Sequence, residues 1–263
     1  MGTRSTSIDR NRFPVDEWSF TEVGAGPTSD ADDTLFAVSN GVFGLRTPLR
    51  DTSVDVHATT IVNRFFETYD IVYPEDAYGL ARVGQSLVSG PDISQVDITI
   101  DGEQYLLSST RWTRTLDIRS GSLRRTFQLK LPSGGLVVLT NITFVSQHSP
   151  QRSFQRWRAE IEDSESTHKI SLAFHCRHDR PVSTTSDEDP RKGHQFAADN
   201  APIGTITANP NELVSRLKTR SSGLQLTTVL VTDAAPEHVT TAVLDPHAAS
   251  MVISGSLSRS EPL

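Results

Sequence analysis

The chain has 263 residues, of which 36% are apolar, and carries a formal net charge of −7. This length suffices for a substantial core, and one large β domain of that size is common. Acidic residues are scattered among arginines without a basic stripe that would neutralise a phosphate backbone, so we expect no nucleic-acid partner. The sequence shows neither a hydrophobic N-terminal region nor an apolar stretch of about 18 residues, so we expect no secretion and no membrane insertion. Cys176 is the only cysteine, which is typical of a reducing compartment and favours a cytoplasmic location.

Turn sequences in chain order predict a series of β-hairpins. Tight hairpin turns need positive φ, which glycine, asparagine and aspartate adopt at low cost. The turn sequences are Ser39-Asn40-Gly41, Asp101-Gly102 and Pro132-Ser133-Gly134-Gly135. They join the runs 35–38 with 42–45, 96–100 with 105–107, and 123–131 with 136–146.

Two later runs alternate apolar and polar residues with a period of two. The apolar positions are Trp157, Ala159 and Ile161 in the first run, and Ile170, Leu172, Phe174 and Cys176 in the second. One face of each predicted strand therefore belongs to the core. The polar break 163–166 has hairpin length, so we predict that these two strands pair antiparallel.

Strand patterning dominates the chain, and helical periodicity is nearly absent. Many strands without crossover helices predict an all-β fold in which antiparallel sheets stack as a large β-sandwich. The segment at about 188–210 differs, because it holds three prolines, two glycines and several charges without periodicity. We predict that this segment is a long excursion from the sandwich.

Few residues form a recognisable metal-binding or catalytic pattern. His175, Cys176 and His178 lie close in sequence, but a strand sends His175 to the face opposite the other two, so we expect no metal site. The consecutive acids 187–189 are more typical of a solvated turn than of two carboxylates facing each other across a glycosidic bond.

The sequence Asp189-Pro190-Arg191-Lys192-Gly193 is the most suggestive polar cluster. Pro190 restricts one backbone angle and Gly193 frees another, and the two cations between them are able to bind a sugar hydroxyl, a carboxylate or a phosphate. A plain charged surface loop is the alternative, and the residues alone do not decide between the two.

Two short pattern matches are interpreted as chance. Met1-Gly2 followed by Thr6 fits the acceptor pattern for N-myristoylation, which is too short to be specific. Asn141-Ile142-Thr143 fits the acceptor sequence for N-glycosylation, but it lies inside an apolar run that we predict to be a strand.

Several segments together carry a resemblance to a known family. They are 16–20 (DEWSF), 34–46 (TLFAVSNGVFGLR), 114–118 (RTLDI) with 121–125 (GSLRR), 132–134 (PSG) and 189–192 (DPRK). In this order they resemble the N-terminal domain of glycoside hydrolase family 65, whose members include maltose, trehalose and kojibiose phosphorylases. The resemblance implies a supersandwich of two large antiparallel sheets, galactose mutarotase-like, over residues 13–263 after a flexible N-terminus of residues 1–12.

The resemblance also implies what this chain lacks. In the family a helical (α/α)6 barrel follows this domain and holds the general-acid glutamate and the phosphate site, so no catalytic residue is assigned here. The stretch 254–263 resembles the point where family members pass into the linker, and we expect the chain to be cut there. No cofactor and no metal is expected, and inorganic phosphate is the co-substrate if the full enzyme is a phosphorylase.

The function implied by the resemblance is support of a catalytic barrel that acts on α-linked glucose disaccharides. The domain is expected to contribute to a homodimer and to the rim of the active site. The segment 61–67 departs from the glycine-rich, aromatic sequence usual in the family, which leaves the particular disaccharide open. The rim residues expected from this segment and from the polar cluster are Asn63, Glu67, Asp189, Arg191 and Lys192.

Two other functions are considered. A free-standing carbohydrate-binding or assembly module would need exposed aromatic rings, whereas we expect Trp18 and Trp157 to lie in the core. Epimerase chemistry on a similar sandwich would need a paired histidine and carboxylate, which the sequence does not identify.

Overall fold

The computed structural model of the chain describes residues 10–49, 59–75, 77–162, 166–178 and 202–259. Strands dominate these residues, which confirms the predicted all-β fold, and α1 (Asp30–Leu35) is the one α-helix among them. The strands are β1 (Ser19–Ala25), β2 (Val38–Ser39), β3 (Phe43–Leu45), β4 (Thr60–Asp70), β5 (Val83–Ser89), β6 (Val96–Ile100), β7 (Glu103–Tyr105), β8 (Arg111–Asp117), β9 (Ser122–Lys130), β10 (Leu136–Val145), β11 (Ser153–Glu162), β12 (His168–Arg177), β13 (Ile203–Asn209), β14 (Glu212–Lys218), β15 (Gln225–Val231), β16 (Val239–Asp245) and β17 (Ala248–Leu257). Within the described ranges, every helix is too short or too polar to cross a membrane.

The described strands form four antiparallel sheets. They are sheet A (β1-β8-β9-β10-β11), sheet B (β16-β17-β12-β6-β7), sheet C (β13-β14-β15) and sheet D (β2-β3-β4-β5). Sheets A and B pack together through the largest apolar cluster, which takes Phe127 and Leu139 from sheet A and Ile98 and Ile170 from sheet B. The predicted sandwich is therefore confirmed. A smaller cluster joins sheet B to sheet C.

The predicted hairpin turns are present. Asp101 and Gly102 have φ values of 50° and 87° and join β6 to β7, as a tight primed turn requires. Gly134, with a φ of 93°, lies in the turn between β9 and β10. Asn40 holds the turn between β2 and β3, because its Oδ1 accepts hydrogen bonds from the backbone N–H groups of Val42 and Phe43.

The run 35–38 was expected to be a strand, but its first residue, Leu35, ends helix α1. Ser29 caps this helix: its hydroxyl accepts from the backbone N–H of Asp32, whose carboxylate accepts in return from the backbone N–H of Ser29. Three acidic residues in the first turn complement the positive end of the helix. These local hydrogen bonds favour a short helix where the apolar run by itself is typical of a strand.

The predicted pairing of the strands around 156–161 and 170–176 is wrong. Strand β11 pairs with β10 at the edge of sheet A, whereas β12 lies between β17 and β6 in sheet B. The chain therefore crosses between the two sheets of the sandwich at this point. Alternation identifies the buried face of each strand, but it does not identify the partner, since either pairing buries the same residues.

Two segments expected to be irregular contain ordered contacts where they are described. Residues 203–209, at the end of the predicted excursion, form β13, which pairs with β14 along its whole length. Arg12, assigned to the flexible N-terminus, forms ion pairs with Glu22 and Asp32. Residues 1–9 and 179–201 lie outside the described ranges.

A glycine on β1 is required by the packing of a tryptophan on the neighbouring strand. A Cβ atom at Gly24 would lie 2.3 Å from Cζ2 of Trp112. The Trp112 ring is 3% exposed, and its Nε1 donates to the carbonyl of Gly26 over 2.9 Å. Burial and this hydrogen bond therefore hold the ring against Gly24.

We expect Gly24→Ala to lower the free energy of unfolding by about 1–3 kcal/mol, because the added methyl group overpacks the core. Urea denaturation of the two proteins measures the difference. Ala25→Ser is the matched control, because its exposed side chain lies on the opposite face of β1, and it should change stability by less than about 0.5 kcal/mol. Equal stability of Gly24→Ala and the parent chain would contradict the close packing of Trp112.

Candidate functional site

Strand β4 carries two of the five predicted rim residues, Asn63 and Glu67. The other three, Asp189, Arg191 and Lys192, lie outside the described residues, so the structure does not bring the five together. The rim role of all five stays a prediction. What the structure adds is the local geometry of Asn63 and Glu67.

A bulge places Asn63 at the surface. The register of β4 against β5 shifts between Ile61 and Phe66, and Arg64 has a φ of 65°, which is unfavourable for a residue with a Cβ atom. Asn63 and Arg64 are both exposed. The backbone N–H of Asn63 donates to the carbonyl of Val42 over 2.8 Å, which ties the bulge to the end of the β2–β3 turn.

Glu67 holds a turn of another sheet by its carboxylate. The carboxylate accepts hydrogen bonds from the backbone N–H groups of Arg220, Ser221 and Ser222 at 2.6, 3.0 and 2.8 Å, just after β14 ends. Ser222 donates back through its hydroxyl to the carbonyl of Phe66 over 2.6 Å. Glu67 is only 2% exposed, so these contacts join sheet D to the β14–β15 turn.

The environment of Glu67 favours its ionised form. Burial by itself would raise the pKa of the Glu67 carboxyl, but hydrogen bonds from the backbone N–H groups of Ser222, Thr68, Arg220 and Ser221 outweigh burial and lower that pKa. A general acid needs a raised pKa to be protonated near neutral pH. In this geometry Glu67 therefore orients the backbone of the turn.

A row of buried polar side chains crosses sheet A. Glu22, Arg114, Arg125 and Asn141 lie next to one another in register on four adjacent strands. Arg114 donates through Nε to Glu22 over 2.6 Å and through a terminal nitrogen to Asp33 over 2.9 Å. Arg125 donates through Nε and a terminal nitrogen to Oδ1 of Asn141 at 3.1 and 2.9 Å. The four residues of the row and Asp33 are each at most 2% exposed.

Arg125 is the least compensated charge of this row. Burial, and secondarily the nearby positive charge of Arg114, lower the pKa of Arg125 to about 10, while Asp33 acts in the opposite direction. The Arg125 guanidinium also lies 5.8 Å from the ring centre of Phe127 and 5.7 Å from that of Trp157. Arg125 thus remains a cation at neutral pH and is held by an amide oxygen and two aromatic faces.

The polar row divides the interior of sheet A into two apolar parts. The apolar residues on either side are Trp112 and Leu116 around Arg114, Phe127 and Leu123 around Arg125, and Leu139 and Val145 around Asn141 with Thr143. Sequence reasoning missed this row. A signal was available, because Arg114 and Arg125 occupy the apolar phase of strands β8 and β9.

The glycosylation match lies within this row. Asn141 and Thr143 are both fully buried, and the hydroxyl of Thr143 donates to Oδ1 of Asn141 over 3.0 Å. A folded chain does not present this asparagine to a transferase, which agrees with the interpretation of the match as chance.

The histidines and the cysteine near the end of β12 have separate surroundings. His175 bonds through Nε2 to Asp97 over 2.9 Å, whereas Cys176 lies in an apolar cluster and burial raises the pKa of its thiol to about 12. His178 bonds to the hydroxyl of Ser215 over 2.9 Å, and burial lowers the pKa of this histidine to about 4. Over the described residues no three histidine, cysteine or acidic side chains are grouped so as to hold a metal ion.

Two histidine–carboxylate pairs, which the sequence did not identify, occur in sheet B. They are His175 with Asp97 at 2.9 Å and His168 with Asp101 at 2.6 Å. The hydrogen bond with the histidine is the main cause that lowers the pKa of each aspartate. In each pair the carboxylate contacts the histidine directly and orients its ring. A histidine–carboxylate pair on this fold is not by itself evidence of epimerase activity.

The three tryptophans divide between core and surface. Trp157 packs against the main apolar cluster, as expected, and Trp112 is buried as well. Trp18 was also expected in the core, but it is 49% exposed. It lies at the start of β1, where its carbonyl accepts from the backbone N–H of Ile118, a residue that is itself 60% exposed.

The chain matches a known family over most of its length. The family model described as "Glycosyl hydrolase family 65, N-terminal domain" covers residues 27–263. An α,α-trehalose phosphorylase of Thermoanaerobacter brockii is 29% identical over 153 residues, which cover 54% of this chain and 20% of that protein. An uncharacterized glycosyl hydrolase of Mycobacterium tuberculosis is 26% identical over 258 residues, which cover 90% of this chain and 32% of that protein.

The fold agrees with that of a solved relative. The structure named "Putative kojibiose phosphorylase from human microbiome" superposes with a TM-score of 0.70 at 14% identity, over 96% of this chain and 32% of that chain. The chain therefore spans at most about a third of the length of the relatives that it matches here. Because the family model matches well over half of its residues, the chain belongs to glycosyl hydrolase family 65, as an N-terminal domain of that family.

Proposed function

We propose that this chain is the non-catalytic domain of a phosphorylase that acts on α-linked glucose disaccharides. The observation that carries the proposal is the match of the family's N-terminal domain over residues 27–263. The matched relatives that have a named activity are trehalose and kojibiose phosphorylases, the second being an Escherichia coli protein that is 35% identical over 77 residues, 28% of this chain and 10% of its own length. A cytoplasmic location is part of the proposal, and the free, buried Cys176 supports it.

The proposed reaction needs one protein acid and one phosphate. A phosphate oxygen attacks the anomeric carbon with inversion, the bond from that carbon to the glycosidic oxygen breaks, and a general acid protonates the departing oxygen. The products are glucose 1-phosphate and a free sugar. We assign the general acid to an (α/α)6 barrel outside this chain, so phosphate is a co-substrate and no cofactor is required.

Within that enzyme, the domain is proposed to support the barrel, to contribute to a homodimer and to line part of the active-site rim. The rim role is supported by the bulge of β4, which presents Asn63 and Arg64 at the surface. Glu67 supports the same region from the buried side, by fixing the turn after β14.

Activity assays test this proposal. We expect the purified chain to leave maltose, trehalose and kojibiose unchanged with or without phosphate. A protein that contains this chain together with the proposed barrel should release glucose 1-phosphate from one of them, and only when phosphate is present. Turnover by the chain alone that is abolished by changing Glu188 or Asp189 would overturn the non-catalytic assignment, and release of glucose without phosphate would overturn phosphorolysis.

A free-standing carbohydrate-binding module is the second candidate, and the exposure of Trp18 favours it. Sugar rings stack on flat aromatic faces, and Trp18 has half of its surface in solvent. Titration of the chain with maltose and with longer glucans distinguishes the candidates. Binding that is lost in Trp18→Ala but kept in Ile118→Ala would establish the module and replace the domain assignment.

A further inference from the structure

Strand β14 carries cations at alternating positions on one face. Arg216 and Lys218 lie on this strand, Arg220 follows it, and all three side chains are exposed. Residues two apart on a strand point to the same side and are about 7 Å apart. This face is therefore positively charged, although the chain carries a net charge of −7.

The first two of these cations line a cleft in sheet C of ≈ 190 Å³. The cleft is lined by Ile203, Gly204, Thr205, Arg216, Leu217, Lys218, Gln225, Leu226 and Thr227. Arg216 and Lys218 lie at the centre of the cleft, and each has one neighbour on β13 and one on β15. These neighbours are Thr205 and Thr227 for Arg216, and Ile203 and Gln225 for Lys218.

The cations of the cleft have no counter-charge in the described part of the chain. Neither Arg216 nor Lys218 forms an ion pair there, and Glu212, the acid on the same face of β14, bonds to Asn209 instead. Two like charges at this spacing repel each other. An anion placed between them would remove the repulsion and gain two charge-assisted hydrogen bonds.

We propose that this cleft binds a small phosphorylated sugar. Arg216 and Lys218 contact the phosphoryl oxygens, because a phosphoryl dianion matches two adjacent cations in charge and accepts several hydrogen bonds. The choice of a sugar rests on the proposed function, in which a sugar phosphate is the product.

The remaining lining residues fit the sugar part. The cleft is open to solvent, and its volume of ≈ 190 Å³ leaves room beside a phosphoryl group. Thr205, Thr227 and Gln225 offer two hydroxyls and an amide to sugar hydroxyls, and Ile203 offers an apolar contact to the ring carbons.

Glu67 is connected to this cleft through the turn that follows β14. Its carboxylate fixes the backbone of residues 220–222, two residues after Lys218. This anchors the end of β14 that carries Lys218. The rim residue predicted from the sequence is thus linked to the cleft through the backbone of one turn.

Isothermal titration of the 263-residue chain tests the proposal, with glucose 1-phosphate, inorganic phosphate and glucose as probes. We expect glucose 1-phosphate to bind at least tenfold more tightly than either of the other two, and to bind more weakly as salt is added. The double variant Arg216→Gln/Lys218→Gln should lose at least tenfold in affinity for glucose 1-phosphate. The matched control is Arg124→Gln/Arg156→Gln, which removes two exposed cations from the outer face of sheet A and should leave the affinity unchanged.

Thermal unfolding checks that both double variants fold, and we expect that they do, since surface substitutions of this kind change stability by only about 0.5 kcal/mol each. Unchanged affinity in Arg216→Gln/Lys218→Gln would overturn the site. Equal binding of phosphate and glucose 1-phosphate would overturn the sugar part, and equal binding of glucose would overturn the role of the cations. These experiments measure binding to the chain alone. Failure of the cleft proposal is therefore distinguishable from failure of the phosphorylase assignment, which the activity assays test.

Discussion

Glu22→Gln is expected to lower the free energy of unfolding by about 3–5 kcal/mol, because it leaves a buried charge uncompensated. In the parent chain, the carboxylates of Glu22 and Asp33 lie with the cations of Arg114 and Arg125, and all four residues are at most 2% exposed. Glu22 also pairs with Arg12, which is partly exposed. The substitution keeps the shape of the side chain but removes one of the two negative charges. The low-dielectric interior of the sheet then holds an excess cation, which water cannot reach to solvate.

Urea denaturation at neutral pH measures this effect. Arg158→Gln is the control, because it breaks an ion pair of similar length, 2.8 Å to Glu160, whose two side chains are 52% and 45% exposed. That control should change stability by at most about 1 kcal/mol. A loss below about 1 kcal/mol in Glu22→Gln would show that the charge of Glu22 does not compensate the buried arginines.

Glu67→Ala is expected to lower the free energy of unfolding by about 2–4 kcal/mol. The substitution leaves the backbone N–H groups of Arg220, Ser221 and Ser222 without their common acceptor. A fully buried donor left unpaired costs about 1–3 kcal/mol, and these donors are only partly buried, so each contributes toward the lower end of that range. Glu67→Gln should give an intermediate loss, because it keeps one carbonyl oxygen but not the charge. Glu237→Ala, at an exposed glutamate, is the control and should leave stability within about 0.5 kcal/mol.

The contribution of Glu67 should depend on pH in a defined direction. Because folding lowers the pKa of this carboxyl, its ionisation stabilises the folded chain above the unfolded pKa, about 4.3. That stabilisation is lost as the pH falls through the lower pKa of the folded state. The difference in unfolding free energy between the parent chain and Glu67→Gln should therefore be largest near pH 7 and shrink below about pH 4. A difference that stays constant from pH 7 to pH 3 would show that the charge of Glu67 does not stabilise the turn.

The candidate site could be predicted only in part. The departure of segment 61–67 from the usual family sequence drew attention to Asn63 and Glu67, and both lie where β4 is irregular or linked to another sheet. The partner of Glu67, however, is a run of backbone N–H groups more than 150 residues away. Backbone donors have no signature in the sequence, so that contact was not predictable. The alternating cations of β14 were not singled out from the sequence, and the cleft around them depends on strands β13 and β15.

The sequence by itself determined which faces of the strands are buried and where the tight turns lie. Alternation of apolar residues reports burial directly, and turns such as Asp101-Gly102 depend on local φ angles. The tertiary structure decided the partners of the strands and the surroundings of the buried charges. Strands β11 and β12 bury the faces that alternation predicted, but they lie in different sheets. Alternation does not specify the partner of a strand, because pairing with either neighbour buries the same apolar face. Arg114 is stable in the core only because a strand and a helix distant in sequence bring Glu22 and Asp33 to it, whereas Arg125 is bound by Asn141 of the next strand.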